Sequence, residues 1–303
     1  MTGAQMAAAA RRQTTVIPRR SAGAAISDIV FRLMMYGAVG LAFVGLGAII
    51  YDFAGDGLPF VDSSFLTRFP SRVIPERSGI QSAIVGTIYL MFICAVLVVP
   101  LGIMTAVYLE EYADRDRWQH RLVEVNIQNL AAVPSIVYGI LGLAFIVRGP
   151  IGMGPVLLAG GITLSLLVLP VVIIVAREAI RAVPPSIREG SLALGATQWQ
   201  TIWRQVLPGS IAGIATGVIL ALSRAIGETA PLLVVGAAVS PRFNPNGLDS
   251  AFTALPVQIV KWTQDSEQAF VQRAAGAIVV LMALLLIMNS IAIWLRNRYE
   301  QKW

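Results

Sequence analysis

Six apolar blocks, each long enough to cross a lipid bilayer as a helix, run through this chain at residues 33–50, 80–109, 130–147, 156–176, 209–238 and 274–295. Crossing hydrocarbon takes about 20 predominantly apolar residues in helical form, since a helix satisfies its own backbone donors and acceptors where no water can. Charged residues make up 13% of the sequence, against about 25% in an ordinary soluble domain. A soluble chain of this length would need more polar surface to cover its core. The sequence therefore predicts an all-α membrane protein with six transmembrane helices.

The net charge of +6 does not point to nucleic acid, because the cations flank the apolar blocks instead of lining one face. Flanking Arg and Lys set membrane orientation. With the N-terminus inside, the inner segments hold Arg11, Arg12, Arg19, Arg20, Arg32, Arg115, Arg117, Arg121, Arg177, Arg181, Arg188, Arg204, Arg296, Arg298 and Lys302. The outer loops hold Arg68, Arg72, Arg77, Arg148, Arg242, Lys261 and Arg273. The bias places both termini on the cytoplasmic side. Arginines before the first block resemble the start of a signal peptide, but five more blocks follow, so an uncleaved first helix is expected. Residues 1–28 read as a flexible tail, 29–79 as the first span with an outer loop, 80–295 as the core, and 296–303 as a short tail.

One cysteine (Cys94, within an apolar block) and one histidine leave no disulfide framework and no recognisable metal site. His120 lies among charged residues and reads as a solvated loop residue. Pro134, Pro170 and Pro231 fall within spans, where a proline frees a carbonyl and can bend the helix; either a static kink or a moving one fits. Small residues in the second, third and fifth spans suit close helix packing.

The loop between the fourth and fifth blocks, RAVPPSIREGSLALGATQWQTIWRQVLPGS (181–210), carries the most information. Pro184 and Pro185 end one helix and open another. Apolar residues then recur at helical spacing from Ile187 to Val206, Gly195 marks a turn, and Pro208 is expected to open the fifth span. Periodicity alone fits a pair of interfacial helices with Trp anchors. In the fifth span, Arg224 and Glu228 stand four apart, which on one helix makes them neighbours. Each charge costs about 2.5–3.5 kcal/mol at the centre of a span on insertion scales. Two roles fit: an ion pair that locks the span in place, or a gate on an ion path, with Arg224 offering a fork of donors to an oxyanion.

Glu189-Gly190-Ser191, then Gly195, then Leu207-Pro208 resembles the EAA loop of permeases in bacterial ABC importers, with Gln205 departing from the isoleucine of that pattern. The resemblance implies a type I importer permease fold with a cytoplasmic coupling helix in 181–208. That helix would dock on a separate ATP-binding subunit. Small side chains at Gly190, Ser191, Ala193 and Ala196 would permit close approach, and Glu189 would meet a cation there. This chain is not expected to be the ATPase: a phosphate-binding loop needs a lysine after a glycine-rich turn, and Lys261 and Lys302 each precede Trp.

SRAIGETAP (223–231), continued by Leu232 and Leu233, is similar to the signature span of phosphate-specific transport permeases of the A type. GTIYL (86–90), VPLGIMTAVYLEEYA (99–113), NLAAVPSIVYGILGL (129–143) and GGITLSLLVLPVVI (160–173) fit the same family. The resemblance implies a phosphate importer in the bacterial inner membrane. Its partners would be a second, homologous permease, a dimer of ATP-binding subunits that holds the ATP and Mg, and an extracytoplasmic phosphate-binding protein docking at 54–79 and 240–273. No cofactor would be bound by this chain. Two other readings stand beside it: a permease for another oxyanion such as molybdate or sulfate, and a channel or secondary transporter, against which the 181–208 loop argues.

Overall fold

The computed structural model describes residues 22–71, 73–114, 116–237 and 241–299. The predicted tail 1–28 lies largely outside them, although a helix already begins at Ala22. Two compact units are formed, Met1–Asp52 and Phe53–Trp303. The first consists, among the described residues, of most of α1 (Ala22–Gly57), a continuous apolar helix.

The second unit is all helical among the described residues. Its elements are α2 (Ser63–Thr67), α3 (Gln81–Tyr112), α4 (Trp118–Ala132), α5 (Ser135–Val147), α6 (Leu157–Arg181), α7 (Pro185–Ala193), α8 (Gln198–Ile226), α9 (Ala230–Val235), α10 (Leu255–Thr263) and α11 (Gln268–Tyr299). Among the described residues, five helices are long and apolar enough to cross a membrane, or six if the bent pair α4–α5 counts as one span. The predicted all-α fold is borne out.

The centre of the second unit is α6, packed between α3 and α8. Leu90, Cys94 and Val98 of α3 bury against Leu164, Val168 and Val172 of α6, with Ala221 and Ala225 of α8 closing the cluster. Glycines set how near these helices come. A β-carbon on Gly102 would stand 2.7 Å from Val172, one on Gly161 2.5 Å from Ile93, and one on Gly213 2.7 Å from Ala179. Such contacts allow the backbone approach on which dispersion-driven packing in lipid relies. In a second cluster, at the end bearing α2 and α10, Trp262 stacks on Phe270 with centroids 6.3 Å apart and meets Phe65 at a tilt, 6.1 Å away. There Asp62 caps α2, accepting from the Phe65 N–H at 2.6 Å. That bond, then the Ser64 hydroxyl, lowers the pKa of its carboxyl.

Three local expectations need correction. The third block is not one straight span: the chain turns by 103° between α4 and α5. Pro134 cannot donate and holds Val133 out of helical geometry, with ψ at 132°, so a polar α4 ends there. The fifth block stops at Ile226, not at 238. Pro231 has no N–H for the Gly227 carbonyl and its ring would crowd it, so the helix breaks at Gly227 and α9 restarts at Ala230. Pro208 does not open a span either. It sits inside the continuous α8, just after a π-turn at Ile202–Val206 in which Leu207 N–H reaches Ile202 O; the wider turn gives room for the proline ring. Pro170, by contrast, lies in an unbroken α6.

Gly86 offers a test of the packing. A β-carbon there would run into the Thr253 carbonyl, whereas at Gly190 it would meet nothing within 4 Å. Gly86→Ala is expected to cut the yield of monodisperse protein several-fold in size-exclusion chromatography after detergent extraction, and Gly190→Ala to leave it unchanged.

Candidate functional site

The loop after α6 folds as two helices about a glycine. Pro185 opens α7, and the helix closes at Leu194. Gly195 takes φ of +85°, the left-handed cap that glycine adopts without strain. Its N–H donates to Leu192 O at 2.9 Å and that of Ala196 to Ser191 O at 3.2 Å. Thr197 and Gln200 then form a reciprocal capping box at the start of α8. Ser191 and Thr201 hydroxyls share a hydrogen bond of 2.9 Å across the turn.

The residues singled out in this loop separate into two groups. Glu189, Gly190 and Gly195 are exposed. With them stand Leu194, 91% exposed, and the stacked rings of Trp199 and Trp203, 5.6 Å apart. The loop thus exposes apolar side chains together with the Glu189 carboxylate and, next to Trp203, Arg204. Ser191 is half-buried by its bond to Thr201. Leu207 and Pro208 are half-buried within α8, where Leu207 packs beside Ile180, Val206 and Ile214. They position the loop and do not share its exposed face.

Beneath α7 lies a charge cluster that spacing does not reveal. Glu110 and Glu111 stand on a π-turn, Tyr108–Tyr112, that ends α3. Glu110 receives Arg181 Nε at 2.8 Å and lies 3.5 Å from Arg177 Nε. Arg177 also donates to Glu124 of α4 at 3.1 Å. Glu111 Oε1 receives Arg188 Nη2 at 2.8 Å and Nε at 3.0 Å. These pairs join residues 53 to 77 positions apart, so no sequence window contains both members. The one cue was the pair of acidic residues ending an apolar block. His120 also differs from expectation: it belongs to the first turn of α4, is buried, and its Nδ1 has no hydrogen-bond partner.

The second site is the break after α8. Arg224 lies in the last turn of α8, and Glu228 lies beyond the end of that helix. The predicted pairing on one helix face is thus replaced by a contact across a helix end, Arg224 Nε to Glu228 Oε1 at 3.4 Å. Thr229 Oγ1 donates to Gly227 O at 3.4 Å, the carbonyl that Pro231 cannot serve. Next to Arg224, Ser223 donates to Asn289 Oδ1 of α11 at 2.6 Å. The Arg224 side chain is 53% exposed and that of Glu228 16%. A charge at that exposure on a helix long and apolar enough to cross a membrane faces something outside this chain, either a wet path or another protein.

Residues 98–303 match the family described as binding-protein-dependent transport system inner membrane component. The chain belongs to this family. It is a multi-pass membrane permease of the ABC transporter class. It is 36% identical over 236 residues to the phosphate transport system permease protein PstA 1 of Mycobacterium tuberculosis (strain ATCC 25618 / H37Rv), covering 77% of this chain and 75% of that protein. The probable ABC transporter permease protein YqgI of Bacillus subtilis (strain 168) is 30% identical over 259 residues, 82% of this chain and 87% of the relative. PstA of Yersinia pestis is 32% identical over 235 residues, covering 77% and 78%. Among solved structures, a bacterial alginate ABC transporter in complex with an alginate pentasaccharide-bound periplasmic protein is similar, with TM-score 0.66, 16% identity, and 91% and 96% of the two chains covered. The inward-facing MetNI methionine ABC transporter follows at TM-score 0.57 and 18% identity, covering 74% and 95%. At these identities the solved structures establish the permease fold alone.

The buried carboxylate of this permease tests the charge cluster. Glu110→Gln leaves Arg177 and Arg181 short of a partner, and breaking a buried pair costs about 3–5 kcal/mol. The loss here is expected at or below the lower end, since Arg177 keeps Glu124 and Arg181 keeps Glu178. A fall in the midpoint of thermal unfolding in detergent is the readout.

Proposed function

We propose that this chain is a permease subunit of an ATP-driven importer of inorganic phosphate, forming half of the translocation path. The observation that carries the reading is Arg224, a half-exposed guanidinium at the end of a helix of membrane-crossing length, tethered to Glu228. Arg presents planar donors that match phosphate oxygens. Glu228 alone would repel an anion. Held by Glu228 at rest, Arg224 is released to an entering anion, and the salt bridge re-forms as the anion leaves. The PstA relatives carry phosphate transport in their names, which supports this choice among oxyanions.

The exposed Glu189–Gly190 face, with Leu194, Trp199 and Trp203, supports docking on an ATP-binding subunit that holds ATP and Mg. The basic residues flanking the spans support both termini on the cytoplasmic side of a bacterial inner membrane. The segments 54–79 and 240–273 then face outward. There Arg68, Arg77 and Arg242 line a cavity of about 500 Å³ with no carboxylate in its wall among the described residues, a field that favours anions and suits docking of an anion-delivering binding protein. A second, homologous permease covers the Arg224 side.

Labelled phosphate uptake at micromolar concentration, in cells lacking this chain and then supplied with it, tests the substrate. Uptake is expected to return and to be competed by arsenate, but not by sulfate or molybdate. Arg224→Gln is expected to lower uptake at least about tenfold, the loss of one charge-assisted contact in the path, with insertion unchanged. Competition by sulfate or molybdate would move the substrate to another oxyanion. An Arg224→Gln protein with lower yield and intact kinetics would make the pair a structural lock. Separately, Glu189→Ala and Gly195→Ala are expected to lose the ATP-binding subunit in a pull-down.

A further inference from the structure

Both arms of the loop converge on one residue of α3. From α7, Arg188 sends Nη2 and Nε to Glu111 Oε1 at 2.8 and 3.0 Å. From the first turn of α8, Gln198 Nε2 donates to the Glu111 carbonyl at 2.5 Å. Side chain and main chain of Glu111 thus hold the two helices on either side of Gly195. Arg188 has two further contacts: Nη1 donates to Val183 O at 2.6 Å and Nη2 to Ile180 O at 2.8 Å. Those carbonyls belong to the last turn of α6 and the turn after it, where Ile180 O also accepts from the Val183 N–H at 3.3 Å. One guanidinium therefore ties α7 to α3 and to α6 together.

The neighbouring residue makes the other half of the arrangement. Glu110 is held by Arg177 and Arg181 of α6. The two carboxylates sit on a π-turn, a wound segment that recurs at functional sites. The Glu111 side chain is 10% exposed and that of Arg188 22%. A pair this dry gives little net stability compared with apolar contact, and its best-attested use is to fix a register or a switch.

We infer that Glu111 is a positioning residue that couples α7 to the membrane helices. Its pair with Arg188 makes displacement of the loop move the end of α3, so that docking forces reach the bundle. This rests on the reading of the loop as the surface that meets the ATP-binding subunit. A rigid joint predicts a particular failure. Without it, the loop still docks and ATP is still hydrolysed, but the bundle no longer follows.

The experiment uses the assembled complex in proteoliposomes, with its second permease, ATP-binding subunits and binding protein, and reads phosphate moved per ATP hydrolysed. Glu111→Gln keeps the carbonyl bond to Gln198 and removes the charge. It is expected to leave assembly and ATP hydrolysis in place and to lower the transport ratio about tenfold. Arg188→Lys, a point donor that cannot serve a carboxylate and two carbonyls at once, is expected to lower it less. The double variant Glu111→Gln with Arg188→Lys is expected to fall no further than Glu111→Gln alone, because both changes act on one interaction while a lysine can still serve the carbonyls. An unchanged ratio in Glu111→Gln, or additive losses in the double variant, would overturn the joint. So would failure of both Glu111→Gln and Arg188→Lys to assemble, since the pair would then be a brace. A wild-type complex that couples ATP to sulfate or molybdate instead of phosphate would correct the substrate alone, and the same ratio measured on that ion would still decide the joint. If Gly195→Ala and Glu189→Ala both retain the ATP-binding subunit, the docking reading fails and the joint fails with it.

Discussion

A backbone carbonyl in hydrocarbon has no water to turn to, and each interruption of this helical bundle bears the mark of that constraint. The chain departs from helix at Val133–Pro134, and there Tyr138 donates its hydroxyl to Leu130 O at 2.8 Å, serving a carbonyl at the end of α4. It departs again at Gly227–Thr229, and there the Thr229 hydroxyl reaches Gly227 O. At the end of α6, Arg188 serves Ile180 O and Val183 O. The three breaks are also where the singled-out features stand: the 103° bend, the Arg224–Glu228 pair and the Glu189 loop. A break inside a membrane helix is costly unless a side chain answers for it, which applies to the first two; at the exposed loop after α6 Arg188 acts as a tie.

Ion pairs gather near the two ends of α8. At its beginning, the Glu110–Glu111 cluster gathers arginines from α6 and α7 and ties them to α3. At its end, Arg224 and Glu228 stand alone. The first cluster is mostly dry and paired within the chain. The second leaves its guanidinium half-exposed, and that difference separates a joint closed within the chain from a pair that faces outward. Polar contacts between α8 and α11, Ser223 to Asn289 and Arg296 Nη1 to Thr216 Oγ1 at 3.2 Å, hold the helix between these two ends.

Much of this architecture was legible in the residues, for a physical reason: long apolar blocks admit little besides helices in a bilayer. The Gly195 turn was also legible, because a left-handed cap has few chemical solutions. Pro134 and Pro231 are visible but ambiguous in the sequence, and Pro208 reads there as the start of a span. A proline can bend a helix, break it or be absorbed by a wider turn, and neighbours decide which: Pro134 ends α4, Pro231 restarts α9, and Pro208 lies within α8. Placing Glu228 on the helix of Arg224 followed from spacing alone and ignored that Pro231 forbids the helix to continue. His120 looked like a solvated loop residue since its neighbours are charged, yet helical periodicity turns it inward while they face out. The pairing of Glu110 and Glu111 with Arg177, Arg181 and Arg188 depends on tertiary approach, which local patterns do not encode.

The continuity of α8 connects the two charge systems. It runs unbroken for 29 residues, Gln198–Ile226, about 43 Å at 1.5 Å per residue. Gln198 is bound to Glu111 at its first turn, and Arg224 lies in its last. The π-turn at Ile202–Val206 absorbs Pro208 without ending the helix, so the proline that was expected to separate loop from span does not. On the coupling inferred above, a displacement of the loop would have two routes, through Glu111 into α3 and through α8 itself toward Arg224. The close packing of α3 and α8 on α6 keeps those routes from moving independently, because Gly102, Gly213 and Gly217 leave no room between backbones for one helix to shift past another without displacing side chains.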